Sequence, residues 1–183
     1  SVLATGSGIS DDAIVNLDIN NGSLFVDGTI TADQASDGKA TITADVDKDI
    51  IASNGSKVLA KVADDGDATV DFSAGDDITI LDSTVSALVG KNGDAQVLLE
   101  ARGDGRRNDG DITVTNSTVT AGAIGKGEAL VKFDAENDIK INNDSMVSSL
   151  IGTLFGSPDA MIDFDAGDDI EITDSLVQAD AGA

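Results

Sequence analysis

The chain alternates apolar and polar residues in short bursts, and the bursts recur. Runs beginning with alanine read "AIVNLDI" from Ala13, "ATITADV" from Ala40, "ATVDFSA" from Ala68, "AQVLLEA" from Ala95, "ALVKFDA" from Ala129 and "AMIDFDA" from Ala160, with starts 27, 28, 27, 34 and 31 residues apart. From Ala68 onward, Val70, Phe72 and Ala74 share one face while Thr69, Asp71 and Ser73 share the other. That two-residue period is the mark of a half-buried strand. A second short strand follows each later run, carried by Ile78 and Ile80, Ile112 and Val114, Ile139 and Ile141, or Ile170 and Ile172. A third is centred on Val85, Val119, Val147 or Val177. No segment has the apolar spacing of a helix. Strands are expected near 68–74, 78–81, 84–87, 95–101, 112–115, 129–135, 139–142, 160–166 and 170–173.

Three strands per repeat, with Gly, Asn and Asp between them, describe one coil of a solenoid whose corners need unusual backbone angles. The phrase "FSAGDDITILDSTVSA" at 72–87 returns as "FDAGDDIEITDSLVQA" at 164–179, as stacked copies of one unit would. The fold class is therefore all-β, a parallel β-helix of about six coils of roughly 27–34 residues. Parallel crossovers in one sheet are overwhelmingly right-handed, which sets the expected hand. Equivalent side chains should stack about 4.8 Å apart. Leu17, Phe72, Leu99, Phe133 and Phe164 would form one internal column, and Ile50, Ile78, Ile112, Ile139 and Ile170 another. The two longer intervals place outward loops at "RGDGRRN" (102–108) and within 148–160. "NNGSLFVDGTITA" lacks the Asp-Ile pair, so the first coil is expected to be irregular. No linker divides the chain, and residues 1–183 read as one domain.

Charge narrows the function. Eleven basic residues against 34 acidic ones give a net charge of −23, which repels nucleic acid and anionic lipid. Without Cys or His there are no disulfides, imidazole or thiolate metal sites, or His-dependent catalytic triads. Oxygen ligands remain, and these suit calcium or magnesium. No apolar stretch approaches a membrane span, and "SVLATGSGIS" lacks the form of a secretory leader, so a targeting signal would lie elsewhere or have been removed.

The phrases "AGDDITILDSTVSA", "DGDITVTNSTVTA" and "AGDDIEITDSLVQA" resemble the repeats of large secreted bacterial exoproteins of the filamentous haemagglutinin type, over roughly residues 40–180. The resemblance implies a right-handed parallel β-helix, secretion, and adhesive or scaffolding work at the cell surface. The coils here are longer than that family's repeats.

Within a β-helix, Asp49, Asp77, Asp111, Asp138 and Asp169 would stack at one corner, each just before the second strand. Asp67, Asp94, Glu128 and Asp159 form a second column, and Asp82, Asn116, Asp144 and Asp174 a third. Like charges about 4.8 Å apart repel by roughly 1 kcal/mol even in water, so something must offset them. Calcium bridging at Asp77, Asp111, Asp138 and Asp169 is one account. Carboxylates accepting backbone N–H groups, with salt screening the remainder, is the other, and the regular calcium-binding spacings are missing. No cofactor is required. Arg102, Gly103 and Asp104 spell the tripeptide that integrins recognise, although an ordinary Gly-rich loop whose Arg102, Arg106 and Arg107 soften the local negative charge is the simpler account. Asn21, Asn54, Asn116 and Asn143 each open an Asn-x-Ser/Thr glycosylation sequence, and turn chemistry alone also selects those residues.

The expected function is structural and adhesive: a secreted, extracellular solenoid of a cell-surface adhesin or filament, with no enzymatic activity. Its partners would be further copies or coils joined head to tail, with a host or neighbouring cell surface or an extracellular polysaccharide as contact. Neither terminus carries an amphipathic capping helix, which motivates the end-to-end expectation. Two alternatives stand: a β-helix that binds or cleaves acidic polysaccharide, and a calcium-loaded matrix or surface-layer component.

Overall fold

The computed structural model describes residues 1–8, 11–103, 109–152 and 159–182. The described residues form nineteen strands and no helix, and the strands fall into three parallel sheets. The first sheet stacks β2 (Asp11–Ile19), β5 (Gly38–Val46), β8 (Gly66–Ala74), β11 (Ala95–Ala101), β14 (Glu128–Ala135) and β17 (Asp159–Ala166). The second stacks β3 (Leu24–Val26), β6 (Ile50–Ala52), β9 (Ile78–Leu81), β12 (Ile112–Thr115), β15 (Ile139–Asn142) and β18 (Ile170–Ile172). The third stacks β1 (Val2–Gly6), β4 (Thr29–Gln34), β7 (Lys57–Val62), β10 (Thr84–Val89), β13 (Thr118–Ala123), β16 (Met146–Ile151) and β19 (Leu176–Asp180). Each strand pairs with its equivalent one coil away, giving a β-solenoid of about six turns.

Register follows the alanine runs: Ala40 pairs with Ala68, Ala68 with Ala95, Ala95 with Ala129 and Ala129 with Ala160. The alternation therefore aims one side chain in two inward at every level. Leu17, Ala44, Phe72, Leu99, Phe133 and Phe164 share one inward column, so Ala44 supplies the small neighbour beside Phe72. Phe72 and Phe133 are fully buried, and the Phe133 and Phe164 rings lie 5.1 Å apart in a tilted contact. The isoleucine column is likewise continuous from Leu24 through Ile50, Ile78, Ile112 and Ile139 to Ile170.

One expectation needs correction. The first coil is regular, because Leu24, Phe25 and Val26 pair in register with Ile50, Ile51 and Ala52, and Ser23 fills the slot that aspartate holds elsewhere. Apolar shape at the strand, rather than the Asp-Ile pair, sets the pairing. Val2–Gly6 is itself a strand, paired with β4. Of the segment 148–160, residues 148–151 continue β16 and Asp159 opens β17, while 153–158 lie outside the described residues.

Stacked glycines let the corner before the first sheet close. Gly38, Gly66, Gly93 and Gly127 have φ between +132° and +150°, and a Cβ on Gly66, Gly93 or Gly127 would strike the carbonyl of the glycine one coil earlier. Both the backbone angle and the contact exclude a side chain.

Candidate functional site

Strand alternation and corner geometry place the acidic columns, and the coil stacking decides what they do. At the corner before the second sheet, each aspartate carboxylate accepts the backbone N–H of its equivalent one coil later. Asp111 donates to Asp77 at 2.9 Å, Asp138 to Asp111 at 3.1 Å, and Asp169 to Asp138 at 3.1 Å. Gly110 adds a second donor to Asp77 at 3.0 Å, and the Asn137 amide a second to Asp111 at 2.7 Å. In the opposite direction, the backbone N–H of Ile50, Ile78, Ile112 and Ile139 reaches the carbonyl of Asp77, Asp111, Asp138 and Asp169. Carboxylate and carbonyl together tie each coil to both neighbours.

Electrostatics differ along this column. Burial pushes the Asp77 carboxyl above its ordinary range, opposed by the N–H bonds from Asp111 and Gly110 and reinforced by the charges of Asp111 and Asp49. Asp138 is held below that range by Lys140, whose Nζ donates to it at 2.6 Å, and by the Asp169 N–H. Lys140 also approaches Asp111 at 3.8 Å. No group of three or more acidic residues is disposed to hold a metal ion among the described residues. The four aspartates considered for calcium are thus brought into one column, in which Asp77, Asp111 and Asp138 each turn a carboxylate oxygen to a backbone donor of the next coil.

The column before the first sheet works similarly: Asp94 donates its N–H to Asp67 at 3.3 Å and Glu128 to Asp94 at 2.9 Å. The column before the third sheet instead marks left-handed backbone, with Asp82, Asn116, Asp144 and Asp174 at φ between +47° and +58°. Beside it runs a serine ladder that sequence reasoning missed. Ser56, Ser83, Ser117 and Ser145 are buried; Ser56 bonds Ser83 Oγ at 3.0 Å, and the N–H of Ser83 and of Ser117 reaches the Oγ of Ser117 and of Ser145. The repeated Ser immediately before each third-sheet strand from β7 onward was the signal available.

Corner geometry underlies all four glycosylation sequences, and the ladder supplies the serine of two of them. Asn21, Asn54, Asn116 and Asn143 are exposed with φ of 65°, 58°, 47° and 54°, the left-handed angle that Asn tolerates best among residues with side chains. Ser56 and Ser145, the hydroxyl residues of two of these sequences, are ladder members. Of the tripeptide, Arg102 grips Glu100 with two bonds, at 2.9 and 3.2 Å, and Gly103 adopts φ +64°. Asp104 lies outside the described residues.

On the outer face of the first sheet, Asp71, Leu98, Glu100, Lys132 and Asp134 surround a shallow depression of about 220 Å³. Burial raises the Asp71 carboxyl, Glu100 and Asp45 add to the rise, and Arg102 opposes it. The lysine there is committed to Asp134 at 3.0 Å. A larger groove of about 490 Å³ crosses the ends of β7, β10, β13 and β16 and is lined chiefly by aliphatic groups. No family model matches the chain, and neither the curated proteins nor the solved structures include a match to it.

Proposed function

We propose that the chain is a load-bearing and display solenoid of a secreted cell-surface adhesin or extracellular filament. One observation carries this reading: the corner carboxylates, the residues most suited to chemistry, recur in each coil after the first, and those of Asp77, Asp111 and Asp138 bond backbone groups of the next coil, so they serve the stack itself. An enzyme usually interrupts its repeat to build a convergent site. The repeat itself supports axial continuation: each sheet adds one parallel strand per coil, always paired with its equivalent in the coil before, so a further coil or a second copy can pair on the same pattern. The acidic-polysaccharide alternative gains little support, since the depression beside Asp71 is lined by three carboxylates and one paired lysine.

Negative-stain microscopy of the purified chain tests the axial part. Rods longer than the roughly 3 nm of six stacked coils are expected; uniform single particles at high concentration would refute axial assembly. For adhesion, Asp104→Glu should weaken attachment to integrin-bearing cells, and unchanged attachment removes the tripeptide from the reading.

A further inference from the structure

The net charge of −23 is distributed very unevenly around the solenoid. The strands of the first sheet carry twelve acidic residues and two lysines. The seven strands of the third sheet carry two acidic residues, Asp33 and Asp180, balanced by Lys57 and Lys61. The second sheet is also balanced, with Lys140 and Glu171, but its strands are only three or four residues long and it starts at the aspartate corner. The third sheet is therefore the one broad face on which two such acidic molecules can meet without strong repulsion.

Its relief suits contact as well as its charge does. Leu88, Ile124 and Leu150 stand beside Gly90, Gly122 and Gly152, so ridges and hollows alternate from coil to coil along the aliphatic groove. Ile124 is 64% exposed and Leu150 39%. Six spacings of about 4.8 Å by six residues of about 3.3 Å give a face of roughly 600 Å². Two copies would bury about 1,200 Å² in total, the lower bound of a standard specific interface. Interface cores are depleted in charge in the same way.

We propose that the outer face of the third sheet is a lateral self-association surface, on which a second copy of this chain packs face to face through Leu88, Ile124 and Leu150. The inference deepens the scaffold reading and rests on it: solenoids that add coils along their axis also pair sideways, in one direction only, into two-ply fibres. Because the first sheet and the corners carry the acidic excess, pairing strengthens with sodium chloride and needs no divalent ion.

The chain has no cysteine, so single cysteines report contact directly. Thr84→Cys lies on the outer face of the third sheet, and Thr69→Cys occupies a comparable half-buried outward position on the first. In raised sodium chloride, with a short bis-maleimide reagent, Thr84→Cys should cross-link to dimer at least tenfold faster. Adding Ile124→Asp and Leu150→Asp, both at exposed positions, should abolish that advantage while the β-sheet circular dichroism is unchanged. Equal cross-linking at the two cysteines, or an advantage that survives both aspartates, would overturn the proposal. Ile172→Asp, which charges the open end, should leave the Thr84 rate unchanged; a rate that falls with it means the contact is axial and overturns lateral pairing. Dimers through Thr84 without rods in the microscope would refute axial assembly alone.

Discussion

At the scale of single residues, position in the stack decides what each side chain is worth. Phe133 is fully buried between Leu99 and Phe164, so Phe133→Asp places an unpaired carboxylate in an apolar column and should abolish the folded far-ultraviolet spectrum. Phe133→Leu copies what Leu99 already does and should cost far less than the roughly 3–5 kcal/mol expected of Phe133→Ala. Urea unfolding distinguishes the three, and a folded Phe133→Asp protein would mean that the side chain points outward. Ser117 tests the buried ladder. Its Oγ accepts the Ser83 N–H at 3.0 Å and donates towards the Thr115 carbonyl at 2.7 Å. Ser117→Ala strands that N–H, and the expected loss is about 1–3 kcal/mol, measured by the same unfolding experiment. The serines recur in the sequence, but neither the bonding of this ladder nor the close contacts of the glycine column was legible there. A serine or glycine at a turn has several local explanations, and only the neighbouring coil's backbone selects among them.

At the scale of strands and corners, much more could be read in advance. The runs from Ala40 onward repeat the same residue types at the same phase, so a slip of one residue would turn every apolar side chain outward, and the register follows from that penalty. The first coil escaped because its marker, the Asp-Ile pair, is a feature of the corner, while Leu24–Val26 satisfies the strand without it. Val2–Gly6 escaped because a lone third strand has no companion runs to reveal the period. The acidic columns were legible as columns, and so was their bonding to backbone N–H groups as one of two accounts; that the donors belong to the next coil rather than to a local turn was not. Two carboxylates in one column now make opposite predictions. Asp77 has a native value raised above the ordinary 3.8, so its contribution to stability is present below 3.8 and is lost as pH rises through the raised value. Asp138 has a lowered native value, so its contribution is present above 3.8 and is lost as pH falls through the lowered value. Asp77→Asn keeps an acceptor for the Asp111 N–H and sheds the charge; it should raise Tm near neutral pH and change little in acid. Asp138→Asn frees Lys140 and should lower Tm near neutral pH, with the difference fading in acid. Calcium belongs to the same scale. At low ionic strength it should raise Tm modestly and a chelator should reverse this, and added sodium chloride should erase the difference, because diffuse screening can replace weak bridging between corners. A calcium effect that persists in high salt would require a defined site.

At the scale of the whole molecule, the solenoid is a one-dimensional chain of interfaces, since each strand pairs only with its equivalents in the adjacent coils. That connectivity makes a whole coil removable. Ala40 and Ala68 are partners in register, so deleting residues 40–67 joins Lys39 to Ala68 and rebuilds a first-sheet strand of the same length and phase. The new neighbours are compatible at each inward position: Leu17 comes to lie on Phe72, a pairing that Leu99 and Phe72 already make, and Leu24 comes to lie on Ile78. Gly38 and Gly93 meet at the glycine corner, where a Cβ would otherwise collide with the carbonyl one coil away. The shortened protein should fold cooperatively with an unchanged β-sheet spectrum, and its urea m-value should fall by roughly one sixth, in proportion to the surface lost. Deleting only residues 40–53 removes the same kind of residues but leaves half a coil, so the chain cannot return to the first sheet in phase. That variant should be unfolded or aggregated. The comparison separates the periodic account from one in which composition alone drives collapse: if both deletions unfold, or both fold, the coil is not the unit from which this molecule is built.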